Sequence, residues 1–443
     1  MPRGSAARGP AGPGERGAGE RGGAGSRAPG RPARGAGSRG NVPAAAPARP
    51  ARGGGEAAPA HREVAVRPVT PAPAVRRPAG AEGGAGAVRR YAALDLGTNN
   101  CRLLIAEPRG RYFRVVDAFS RIVRLGEGVS LSGVLADAAM DRAIEALKVC
   151  RRKLIDRRVD RFRLIATEAC RAAANGEAFL ARVREEADLE LEVVSRETEA
   201  RLAVAGCASL VDRESDGAIL FDIGGGSSEL VWLDLRRRGG PVAAARAMRA
   251  WTSLPVGVVA LADRYGGVTV TPAVFEDMVG EVCRLLEAFS PGAELDAGVA
   301  AGRVHFLGTS GTVTTLAGVH LGLTRYDRRR VDGTWLETAD LTRMIGEVCA
   351  MPYEARVESP CIGRDRADLV IAGCAILEAI RRRWPCRRLR VADRGLREGI
   401  LTELMAADRG HGAGPGSNHG GARPARPAAG RRETADSAEG AGR

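Results

Sequence analysis

The sequence predicts an α/β protein of two similar lobes facing one cleft, with an unfolded arm at each end. Two apolar runs, residues 91–95 and 218–222, each close on an aspartate, enter a glycine turn and are followed by a second apolar run. Asp222 follows Asp95 by 127 residues, so each half of the core opens with the same strand, turn and strand, as a duplicated fold requires. Outside residues 89–408 the chain is Gly, Ala, Pro and Arg with almost no large apolar side chain. Such segments bury too little surface to offset the entropy of ordering, so 1–88 and 409–443 read as disordered.

The elements follow in order. Residues 91–95 and 101–106 form a hairpin around Gly97-Thr98-Asn99-Asn100. From 132 to 155 the apolar positions Ala139, Ala143, Ile144, Leu147, Leu154 and Ile155 recur at helical spacing, and 161–166 reads as a buried strand. A helix over 167–183, a strand at 190–194 and an Ala-rich helix over 197–210 complete a first lobe placed at 89–204. The second lobe, 205–408, opens on 218–222, the turn Gly224-Gly225-Gly226-Ser227-Ser228 and the run 229–233. A strand at 305–307, helices at 274–289, 313–321, 341–350 and 367–380, and a final strand and helix at 388–392 and 396–405 follow. That last helix is a candidate to pack back on the first lobe.

The formal charge of +14 points at first to nucleic acid, and its location decides what it means. Residues 1–90 carry 16 Arg and 5 Glu, and 409–443 carry 6 Arg against 3 acids, so the excess belongs to the ends and the core is neutral. The neutral core argues against a basic nucleic-acid groove in the folded part, while the arms could make weak, salt-sensitive contacts with RNA, DNA or another polyanion. Lys stands only at 148 and 153 while Arg is everywhere, which also fits a plain compositional bias. Nine cysteines show neither a C-x-x-C pair nor zinc spacing and read as reduced core residues. Without an apolar leader or a membrane-length run, the expectation is a cytoplasmic protein with no membrane partner.

Four motifs could carry chemistry. In Asp95-Leu96-Gly97-Thr98-Asn99-Asn100, turn N–H groups with Thr98 and Asn99 could surround a phosphate while Asp95 holds Mg²⁺, though the same turn fits a plain hairpin. The glycines of Asp222-Ile223-Gly224-Gly225-Gly226-Ser227-Ser228-Glu229 allow close backbone approach, either to an anion or to a crowded lobe interface. Gly308-Thr309-Ser310-Gly311-Thr312 lies between a strand and a helix, where free N–H groups and the helix dipole favour an anion, or where an N-cap alone is needed. On the helix over 197–210, Glu197 and Arg201 are four apart and read as a surface ion pair. Glu199 points about 200° away from that face, toward a cleft or toward solvent.

Taken together and in this order, these segments resemble the exopolyphosphatase/guanosine pentaphosphate phosphatase family. The likeness includes Ile165-Ala166-Thr167-Glu168-Ala169-Cys170-Arg171, Ser253-Leu254-Pro255-Val256-Gly257 and Ala392-Asp393-Arg394-Gly395-Leu396-Arg397-Glu398-Gly399. The resemblance implies two actin-like (ribonuclease-H-like) lobes and an Mg²⁺- or Mn²⁺-dependent release of terminal phosphate from inorganic polyphosphate. Guanosine pentaphosphate or tetraphosphate is the alternative ligand, and a kinase, an ATPase or an inactive sensor are readings open to the same fold. It further implies Asp95, Asp222 and Glu229 at the metal, and Glu199 as the base with Arg171 on the phosphate chain. Gly97, Thr98, Asn99, Gly224, Gly225, Gly226, Ser227, Gly308, Ser310 and Gly311 would bind phosphoryl oxygens. Thr98 and Asn100 stand where serines are usual, and Thr198 replaces an acid common in relatives, leaving Glu199 and Glu197 as candidate bases. The length resembles the short two-domain type, for which a homodimer is a candidate assembly.

Overall fold

The computed structural model describes residues 88–110, 112–236 and 247–412. The arm expected over 1–88 lies outside them apart from Val88, and the tail expected from 409 does so only beyond 412.

Eleven strands form two sheets in the described residues. The first contains β1 (Tyr91–Leu96), β2 (Asn100–Arg109), β3 (Tyr112–Ile122), β4 (Arg161–Ala166) and β5 (Glu192–Val193), in the order β3-β2-β1-β4-β5. The second contains β6 (Gly217–Ile223), β7 (Ser228–Asp234), β8 (Met248–Leu254), β9 (Val304–Thr309), β10 (Trp335–Glu337) and β11 (Arg388–Ala392). Traced from β8 its order is β8-β7-β6-β9-β11-β10. In both sheets the first strand pairs antiparallel with the second and parallel with the strand after the crossover, so the two follow one plan.

The helices of the first half are α1 (Val129–Ser132), α2 (Asp137–Asp156), α3 (Glu168–Ala172), α4 (Gly176–Ala187) and α5 (Arg196–Cys207). Those of the second half are α6 (Val258–Tyr265), α7 (Pro272–Glu287), α8 (Ala293–Ala300), α9 (Gly311–His320), α10 (Arg328–Val331), α11 (Thr338–Ala350), α12 (Tyr353–Glu358), α13 (Val370–Arg383) and α14 (Leu396–Gly412). The single helix expected over 167–183 is two, broken at residues 173–175, where Asn175 turns its amide to the backbone of Leu135 in both directions. The last helix continues through Arg409 to Gly412, past the expected start of the tail. Strands β3, β8 and β10 and the short helices α1, α6, α8, α10 and α12 had no counterpart in the sequence expectation.

Each sheet is covered on both faces. Ile144, Leu147 and Phe179 from α2 and α4 fill one side of the first sheet, and Ile400, Leu401 and Met405 from α14 fill the other. On the second sheet one face receives α7, α9 and α13, while the opposite face receives Ala200, Ala203, Val204 and Cys207 of α5. A boundary at 204/205 therefore cuts through a helix that serves the second lobe, and the C-terminal helix serves the first. Helices α5 and α14 lie in contact between the sheets, with Arg201 ion-paired to Glu403. That contact replaces the pair expected with Glu197, which is exposed.

Candidate active site

Each aspartate stands near the C-terminal end of its strand because the apolar period ends there. Tyr91–Leu94 and Ala218–Phe221 are buried, so the polar residue that follows each run is delivered to the end of the sheet. The lobes set these ends against each other around a cavity of about 570 Å³ lined by Asp95, Glu199, Asp222 and Glu229. Gly97, Thr98, Asn99, Gly224, Gly225, Gly226, Ser227, Ser310 and Gly311 line the same cavity.

Two sites of the sequence reading fall elsewhere. Gly308 is inside β9 and meets the Phe221 ring, where a Cβ would stand 2.7 Å from Cζ; it makes room for core packing and lies off the cavity wall. Arg171 is also off the wall. Its guanidinium donates to Glu168 and to the Val194 carbonyl and lies 2.8 Å from Glu199 Oε1, so it holds the two acids in place.

The triple glycine serves the lobe contact directly. A Cβ on Gly225 would stand 2.9 Å from Cβ of Thr98, and one on Gly226 2.8 Å from its Oγ1, so any side chain there would push the two turns apart. The carbonyls of Gly224 and Gly225 accept from Val258 and Val259 at the start of α6. At the third loop, Ser310 adopts φ 102°, a strained backbone for a residue with a Cβ, and its buried Oγ has no partner in the protein. Asn99 Oδ1 is likewise buried without a partner. Both atoms lie where the N–H groups at the start of α9 and the first turn could share an anion.

The electrostatics separate the acids. Glu199 is only 5% exposed, and Ser195 caps its helix by accepting from the Thr198 N–H at 3.2 Å. Burial, then the charge of Glu229, push the Glu199 pKa up strongly against the pull of Arg171. Burial and then Asp222 raise Glu229, although Ser227 and Ser253 each donate to its Oε1 at 2.8 Å. Asp222 is pushed up to about 6 by burial, with Arg102 opposing and Asp95 adding. Burial also raises Asp95, against Arg102 and Arg397. Glu168, in contrast, is held below the usual carboxylate range despite its burial, because Arg196 and Arg171 both donate to it.

Four acids line this cavity, and burial is the first cause that raises each of their pKa values. A hard divalent cation with oxygen ligands fits that donor set. Among the described residues no group of three or more His, Cys, Asp or Glu converges as a ready-made chelate. An ion between Asp95 and Asp222 would therefore take its remaining ligands from water and substrate oxygens, as Mg²⁺ commonly does.

Sequence reasoning gave no role to Arg102, Arg366 and Arg397, all on the cavity wall. None forms an ion pair among the described residues, and Arg366 donates only to Thr315 Oγ1, at 3.2 Å. Guanidinium groups held unpaired in a cleft are ready for an anion. Register could have found the first, because Arg102 is the strand partner of Asp95.

The chain matches the model of the Ppx/GppA phosphatase family over residues 104–408. It is 28% identical to Exopolyphosphatase 2 of Mycobacterium tuberculosis over 332 residues, 72% of this chain and 99% of that protein. Identity with the guanosine-5'-triphosphate,3'-diphosphate pyrophosphatase of Aeromonas hydrophila is 26% over 71% of this chain, which spans only 59% of that relative. The crystal structure of the Aquifex aeolicus Ppx/GppA family member is similar with a TM-score of 0.59 and 27% identity, over 73% of this chain and 99% of that one. An exopolyphosphatase structure from Cytophaga hutchinsonii shares the fold at a TM-score of 0.63 and 23% identity, over 72% and 98%. The fold is a two-lobed α/β arrangement shared with these structures. A match running from β2 to α14 leaves neither lobe outside it, and the chain belongs to the Ppx/GppA phosphatase family.

Proposed function

We propose that the protein hydrolyses the terminal phosphoanhydride of inorganic polyphosphate, releasing orthophosphate, with Glu199 as the base. One observation carries the reading: Glu199 is buried on the wall of the cavity that holds both hairpin aspartates, paired to Arg171. Hydrolysis of this bond needs an in-line water, a base and positive charge on the phosphoryl oxygens. Glu199 accepts the proton as water oxygen attacks the terminal phosphorus, and the P–O bond to the rest of the chain breaks. Its raised pKa makes it a strong base once ionised, and Arg171 favours the ionised form. Asp95 and Asp222 would hold Mg²⁺ or Mn²⁺ with Glu229 behind them; bound there, the ion offsets charge on the reacting phosphate. Arg102, Arg397 and the N–H groups of Gly225 and Gly226 and at the start of α9 receive the phosphoryl oxygens, the Gly224 N–H being taken by the Ser227 carbonyl.

Guanosine pentaphosphate presents the same terminal group, and a relative named for that substrate supports it as the second reading. Phosphate release from long polyphosphate, short polyphosphate and guanosine pentaphosphate, with and without Mg²⁺, decides between them by kcat/KM. In the same assay Glu199→Gln keeps polyphosphate binding and loses about 10²–10⁴-fold in kcat. Near-normal turnover in that variant would move the base to another residue.

A further inference from the structure

We infer that Arg124 is a positioning residue: with Asp368 it forms a clasp across the cleft that sets the first phosphate loop. The segment after β3, residues 123–130, joins three things. Its backbone holds the turn, because the Asn99 carbonyl accepts from both Val123 and Arg124, at 2.9 and 3.0 Å, and the Thr98 carbonyl accepts from Gly126 at 2.9 Å. Arg124 reaches the other lobe, donating through Nη1 and Nη2 to the two carboxylate oxygens of Asp368 at 2.7 and 2.9 Å. Asp368 is two residues from Arg366 and next to Leu369, both on the cavity wall. Further along, Oδ2 of Asp263 accepts from the Gly128 N–H at 3.0 Å and from Ser130 Oγ at 3.1 Å. Asp263 belongs to α6, the helix whose first N–H groups bind the carbonyls of Gly224 and Gly225.

The segment thus ties the Thr98–Asn99 turn to both the triple-glycine turn and the Arg366 wall. Its geometry has a cost. Arg124 stands at φ 48°, a left-handed backbone unusual outside Gly, Asn and Asp. That conformation lets its N–H join that of Val123 on one carbonyl while its side chain leaves toward Asp368. The pair is bidentate, with side chains 27% and 23% exposed, and Glu127 lies 3.8 Å from the guanidinium. A two-pronged, half-buried pair is stronger than a solvated one. Arg142 of α2 donates to the carbonyls of Val123 and Arg124 and braces the segment from behind.

The inference rests on the phosphatase reading for its effect on rate, so the test has a readout independent of activity. Arg124→Asn suits the left-handed backbone while removing the cation, and Asp368→Asn is its isosteric counterpart. Each variant and the double variant are compared by kcat/KM for polyphosphate and by hydrogen exchange of the peptides covering residues 97–101 and 122–128. The expected result is a loss of about tenfold or more in kcat/KM for each single variant. The double variant should be no worse than either, with faster exchange in both peptides. Additive losses, or wild-type exchange in both peptides, would overturn the clasp. Should the wild type release no phosphate, the reaction is wrong, while the exchange data still decide whether Arg124 and Asp368 hold the turn.

Discussion

The two lobes share a plan and differ at the positions that face the cleft. In the first hairpin Asp95 pairs in register with Arg102, and in the second Asp222 pairs with Glu229, each seven residues on. One lobe thus sets a cation beside its aspartate and the other an acid. The loops after the crossover strands also diverge. Beyond β4 the chain enters the short α3 with Glu168, an acid kept ionised by two arginines, whereas beyond β9 it enters α9 through the strained Ser310 and free N–H groups. Duplication supplied the frame, and the difference at equivalent register sets an arginine beside Asp95 and a carboxylate beside Asp222. A cation bridging to an anion completes such an arrangement.

The largest effect is expected where the acid-rich wall is broken. Asp222→Asn should lower kcat about 10³-fold. It should also raise the melting temperature of the ligand-free protein by about 2–4 °C, because one of the mutually repelling charges is gone. In the wild type the Asp222 pKa of about 6 sets a sign: its carboxyl must ionise before it can bind a cation. Mg²⁺ affinity measured by calorimetry should therefore weaken as pH falls through about 7, where Glu229 protonates, and again through about 6, where Asp222 does. Affinity independent of pH across that range would remove Asp222 from the metal.

A smaller loss is expected on the other wall. Arg102→Gln should raise KM about tenfold with less change in kcat, since it removes an unpaired cation that attracts substrate before reaction. The matched change at the equivalent position, Glu229→Gln, should act on kcat and leave KM nearly unchanged. If both variants moved the same constant, the division of labour between the hairpins would fail. Smallest is Ser310→Gly, which relieves the φ of 102° and should stabilise the fold by about 1 kcal/mol in denaturant titration, while phosphate affinity falls modestly with the lost hydroxyl. No gain in stability would mean that the strain is absorbed elsewhere.

Much of this was legible before any coordinates. Continuous apolar runs ending on Asp95 and Asp222, each followed by a glycine turn, are local signals, and local signals survive in sequence. The angle of Glu199 on α5 set it apart from the Glu197–Arg201 face but left it toward a cleft or solvent, and only the family resemblance made it the candidate base. Short edge strands such as β10 were invisible, since three residues give no period to read. Arg171 was placed on the substrate when its partners are Glu168, Glu199 and the Val194 carbonyl; pairing depends on which side chains the fold brings near. The same holds for Arg201, which meets Glu403, a residue 202 positions away, in preference to its helix neighbour Glu197.

The chain's local pattern already carried the two duplicated hairpins with their aspartates and glycine turns and, from its last strand and helix, a C-terminal helix able to pack back on the first lobe. Three-dimensional packing alone revealed that Gly308 meets Phe221, that α5 covers the second sheet, and that Arg102, Arg366 and Arg397 face the cavity unpaired. Each of those outcomes depends on contacts between segments distant in the chain. Such contacts are selected by how whole lobes pack, and no window of neighbouring residues contains that information.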